Sequence, residues 1–124
     1  MADDLISSDV RDFIQRYIDS VAQLEALLLL RASPNGSWDV AQTAQRLYGS
    51  EQEIAAVLQW LCAEGLLTCE NGLYRYQCSD EMQQKVDRVA LVYSTHLIPV
   101  TNIIHGKPRR IREFADAFKL RRDS

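Results

Sequence analysis

Ser50-Glu51-Gln52-Glu53-Ile54-Ala55-Ala56-Val57-Leu58-Gln59-Trp60-Leu61-Cys62-Ala63-Glu64-Gly65-Leu66-Leu67 holds a whole helix and the start of a strand. Ser50 followed three residues later by Glu53 is a capping-box pattern, in which each side chain satisfies a backbone N–H of the other. Ile54, Val57, Leu58 and Leu61 then recur on one helical face, and Gly65 closes the helix. Leu66 to Glu70, Asn71-Gly72 and Leu73 to Gln77 follow. Asn-Gly between two β-prone runs predicts a hairpin with a two-residue turn. That turn pairs Leu67 with Tyr76 and Cys69 with Tyr74 on an apolar, aromatic face, leaving Thr68, Glu70, Leu73 and Arg75 wet.

Upstream, Asp39 caps a helix from Val40 to Tyr48, which Gly49 ends at a C′ position. Two helices joined by a tight turn containing glycine form a helix-turn-helix. Trp38 precedes them in a short extended segment, after the loop Ser33-Pro34-Asn35-Gly36-Ser37. Val21 to Arg31, with Asp19 and Ser20 as caps, is apolar almost all round and predicts a buried helix. Ser8 caps a shorter helix reaching Ile18.

Downstream, Ser79-Asp80-Glu81 opens a long helix over 80–105, with Pro99 kinking or interrupting it and Gly106 and Pro108 stopping it. Residues 110–120 predict a last short helix with Ile111, Phe114, Ala115 and Phe118 inward. The expected fold class is α+β, mostly helical. Its expected parts are a domain over 1–78, a long helix over 79–106 and a basic tail over 107–124.

The order helix, helix-turn-helix, hairpin, long helix resembles that of a winged-helix domain. The segment 50–67 is similar to the S-x-x-x-V-x-x-x-L-x-x-L-x-x-x-G-L-L stretch of bacterial MarR-like regulators, and the likeness covers roughly residues 20–78. Phe114-Ala115-Asp116-Ala117-Phe118-Lys119-Leu120-Arg121 resembles the ending of a set of small uncharacterised bacterial proteins, which adds no activity. The resemblance implies a non-enzymatic, transcription-regulator type of protein that binds duplex DNA as a homodimer, with the helix that Ser50 starts, running to about Glu64, in the major groove. Gln52, Gln59, Arg46 and Arg75 are then the candidate DNA contacts.

Charge opposes that reading. The chain has 124 residues and a formal charge of −3, but residues 1–80 carry five Arg against twelve acids. No Lys or Arg lies between Arg46 and Arg75, so Glu51 and Glu53 would face phosphates, whose neutralisation supplies most non-specific affinity. The compensating cations lie in the tail: Lys107, Arg109, Arg110, Arg112, Lys119, Arg121 and Arg122. The competing function is a protein-protein interaction adaptor that keeps the winged-helix fold without DNA binding. Its candidate surface is Trp60 rimmed by Glu51 and Glu53; the ordinary role for Trp60 is packing under the long C-terminal helix. That helix exceeds what the domain's own core requires. Val89, Val92, Tyr93, Leu97, Ile103 and Ile104 predict a homodimer seam, the alternative being a helix folded back over its own domain.

Composition is that of an ordinary small domain, with 47% apolar and 25% charged residues. No apolar run approaches the roughly 20 residues that span a bilayer, so no membrane association is expected. The acidic start Met1-Ala2-Asp3-Asp4 predicts no secretory leader, and three cysteines predict reduced thiols and a cytoplasmic location. Cys62, Cys69 and Cys78 lack a Cys-x-x-Cys spacing and are expected to act as small hydrophobes. His96 and His105 complete no ligand set, so neither catalysis, metal nor cofactor is expected.

Overall fold

A computed structural model describes residues 6–106. Its elements are α1 (Ser8–Tyr17), α2 (Val21–Arg31), α3 (Val40–Leu47), α4 (Glu51–Ala63), β1 (Leu67–Glu70), β2 (Leu73–Tyr76), α5 (Asp80–Thr95) and α6 (Leu97–His105). The architecture is α+β and mostly helical. The basic tail and the short helix expected over 110–120 lie outside the described residues.

The middle of the chain closes around α4. Ile54, Leu58 and Leu61 are completely or almost completely buried on the face that meets α2 and α3. Leu24, Leu27 and Leu30 of α2 are sealed opposite them, and full burial of each such side chain is worth about 1.5–3 kcal/mol. β1 and β2 pair in the expected register, Leu67 with Tyr76 and Cys69 with Tyr74. Asn71 at φ 55° and Gly72 at φ 77° form the turn, both in the left-handed region that a primed hairpin turn requires. Trp38 adds a third, one-residue strand on the other side of β2: its N–H donates to the Tyr74 carbonyl at 2.8 Å and receives the reciprocal bond at 2.7 Å.

Several local expectations shift. Ser7 occupies the N-cap position of α1, with its hydroxyl on the Asp9 carboxylate, and Ser8 is the first helical residue. Reciprocal capping forms one helix early, at Asp39 and Gln42, where each side chain accepts the other's backbone N–H. At α4 the Ser50 hydroxyl accepts Glu53 N–H at 3.1 Å. Gly49 is not the left-handed residue that ends α3; Tyr48 is, at φ 57° and ψ 35°. A Cβ on Gly49 would stand 3.3 Å from both Cγ1 and Cδ1 of Ile54, so the glycine is placed by close approach to the α4 core.

The long C-terminal helix is two. It breaks at His96, three residues before Pro99. Pro99 sits in the first turn of α6, where a missing N–H costs nothing, and its ring excludes helical continuation through the carbonyl four residues earlier. Both helices fold back on α1, crossing the boundary expected at residue 78. The homodimer seam is therefore largely used within the chain: Val89, Tyr93 and Ile104 are buried, and Val92 and Ile103 are half-buried. Of the six candidates only Leu97 is exposed, beside Leu91 and Ile98 around the break.

Tyr93 ties this layer to α2, its hydroxyl donating to the Glu25 carboxylate at 3.0 Å. Burial, and then the carboxylate beside it, push the Tyr93 pKa from 10.0 up to about 12. Burial also raises Tyr74 and Tyr76. The folded chain thus holds phenol protons that the unfolded chain releases. Its stability is intact below pH 10 and falls as pH rises through the interval from 10 to 12. Urea unfolding across that interval is expected to show this decline, and Tyr93→Phe to make it shallower.

Candidate interaction surface

α4 points its second face at solvent, and that face is acidic and polar. Glu51, Gln52, Glu53, Ala56, Gln59 and Ala63 are exposed there, and the helix contains no cation. Gln52 and Gln59 stand where the sequence places them, exposed and free of the core. Arg75 projects from the exposed face of β2, its guanidinium donating to Ser37 Oγ at 3.2 Å. Arg46 stacks over the Trp38 ring, 5.7 Å from guanidinium carbon to centroid, an attraction worth about 0.5–1 kcal/mol at an exposed site.

Trp60 is half-buried, and its indole N–H donates to the Tyr17 carbonyl at 3.0 Å. It seats α1 on α4, and as an exposed anchor it is largely spent. Glu64, in the cap beyond α4, accepts from Arg16 at 2.9 Å and reinforces the same junction.

Among the described residues the exposed aromatic ring is that of Tyr48, 97% exposed at the turn between α3 and α4. In the sequence a tyrosine in front of a glycine reads as the last residue of a helix, which gives no sign of this exposure. Tyr48 stands at the rim of a hollow of about 480 Å³ lined by Glu25, Arg46, Gly49, Glu53 and Ile54 among others. Two carboxylates and one guanidinium thus border an aromatic ring whose surface is open to water.

His96 lies at the α5–α6 break with Nδ1 2.8 Å from Thr95 Oγ1, and His105 is exposed at the end of α6. Among the described residues no group of three His, Cys, Asp or Glu side chains is placed to hold a metal ion, and no helix is long and apolar enough to cross a membrane. Cys69, expected on the inner face with Leu67, is exposed at its edge, while Cys62 and Cys78 are half-buried. Compared with family models, with curated proteins and with solved structures, the chain matches none.

A left-handed backbone costs a residue with a Cβ about 1–2 kcal/mol, and the Tyr48 ring recovers little of this by packing because it is exposed. Tyr48→Gly is therefore expected to raise the unfolding free energy by up to about 1 kcal/mol, read as a higher urea midpoint at unchanged slope.

Proposed function

We propose that residues 20–78 form a winged helix-turn-helix module of regulatory type, which acts by binding and not by catalysis. The supporting order is helix α2, the Trp38 bridge, helices α3 and α4, then a hairpin whose second strand lies between Trp38 and β1. Its docking face is the outward side of α4 with the turn before it, and its partner is a protein surface rich in Lys and Arg.

The observation that carries this is Tyr48. An exposed aromatic ring on a left-handed backbone opposes stability on two counts, and such a feature belongs at a site whose use offsets it. Tyrosine is enriched among the residues that dominate protein–protein binding energy. Glu51 and Glu53 beside it favour a cationic partner and disfavour a phosphate backbone.

A second reading, duplex DNA, has its own support: Gln52 and Gln59 are exposed on α4, Arg75 is exposed on the wing, and seven cations lie in residues 107–124. In this reading the tail supplies phosphate contacts that α4 lacks.

Fluorescence anisotropy of the full chain separates the two, with a labelled peptide of residues 107–124 as the basic probe and a generic 30-base-pair duplex as the other. Under the protein-binding reading the peptide binds, and Tyr48→Ala or Glu51→Gln with Glu53→Gln weakens it at least tenfold. Duplex binding that falls with Gln52→Ala and Gln59→Ala while the peptide stays free would replace it with the DNA reading. Binding of neither probe at low salt would overturn both.

A further inference from the structure

Three of the five large hydrophobic side chains exposed among the described residues gather at one place. Leu91, Leu97 and Ile98 lie within a few residues of the α5–α6 break, between 48% and 67% exposed. The outward side of α6 changes character along its length. Ile98 is followed at helical spacing by Asn102 and His105, both exposed, with Thr101 half-buried beside them. That face is thus apolar where α6 begins and polar where it ends. Gly106 closes the helix, its N–H returning to the Asn102 carbonyl at 2.9 Å, and Pro108 two residues on is a stop signal in the sequence. The segment that follows lies outside the described residues, but its sequence has the complementary order. Lys107, Arg109 and Arg110 come first, and Ile111, Phe114, Ala115 and Phe118 then recur at helical spacing.

We propose that residues 110–120 fold back antiparallel to α6 as an amphipathic helix and seat Ile111, Phe114 and Phe118 on Leu91, Leu97 and Ile98. The lengths agree. At about 1.5 Å per residue, the nine residues of α6 span about 13 Å and a helix over 110–120 about 16 Å, enough to return past Ile98. Running back from Gly106, the basic residues pass Asn102 and His105, and the two phenylalanines arrive at the apolar end. A connection of a few residues is ordinary between antiparallel helices.

A second copy of the chain is the weaker occupant on area. Three aliphatic side chains are a small part of the roughly 20–30 residues a side that a stable interface takes. Association from solution also costs translational and rotational freedom. The segment after Gly106 is instead tethered within reach of the patch, at an effective concentration on the order of millimolar, so a small apolar contact is enough to hold it. Arg110, Arg112 and Lys119 flank the apolar positions of that helix and need not be desolvated. The docking uses no residue of the α4 face and is independent of the partner that face takes.

Photo-cross-linking in the full chain tests this. With Phe118→benzoylphenylalanine, irradiation of a dilute sample is expected to join the tryptic fragment Glu113–Lys119 to Val89–Arg109 within one chain, Lys107 being protected from cleavage by Pro108. The join is expected on residues 91–98. It should be lost when Leu91→Ser and Ile98→Ser are added, two exposed positions whose change leaves the core intact. Retention of the fold in that variant is read from hydrogen-exchange protection of the α2 and α4 amides. Joins found only between chains, in a mixture of light and isotopically heavy copies, would overturn the proposal in favour of a second copy. Joins elsewhere on the surface, no join at all, or a join to 91–98 that persists in the double variant would also overturn it.

Discussion

Two hydrogen bonds between Trp38 and Tyr74 hold the middle of this chain in register. They join the residue just before α3 to the strand after the hairpin turn, so α3 and α4 are enclosed between two points fixed to each other. With that loop closed, α4 has one position: its apolar face against α2 and its other face in water. The Trp38 ring also receives Arg46, so the same residue anchors the backbone of the small sheet and orients a side chain of α3.

Much of this was legible in the sequence because it rests on local chemistry. Asn71-Gly72 dictated both the turn and the register, since only a few residue types tolerate two consecutive left-handed conformations. The caps at Ser20, Asp39, Ser50 and Ser79 all form, each accepting a backbone N–H. The expectations that shifted depend on neighbours in space. Gly49 read as a helix terminator because its neighbour in space, Ile54, has no signature in a helix-end pattern. The stripe on α5 and α6 read as a dimer seam because an apolar face does not declare whether it will meet another copy or α1.

The candidate surface was half legible for the same reason. Gln52, Glu51, Glu53 and Gln59 follow from helical phase alone, once Ile54, Val57, Leu58 and Leu61 define the inside. Trp60 and Tyr48 exchange roles because exposure of an aromatic residue at a helix edge is set by tertiary neighbours. Trp60 finds the Tyr17 carbonyl, whereas Tyr48 is turned outward by its own backbone.

Docking of α1 onto α5 and α6 has a kinetic side. Contacts that close the middle of the chain are mostly short in span, whereas this layer joins elements from opposite ends of the described chain. The entropy of closing so large a loop is recovered only after the intervening residues have already shortened the path. The core of α2, α3, α4 and the hairpin therefore assembles first and serves as the surface on which the terminal helices meet, so that their docking is expected to come late in folding.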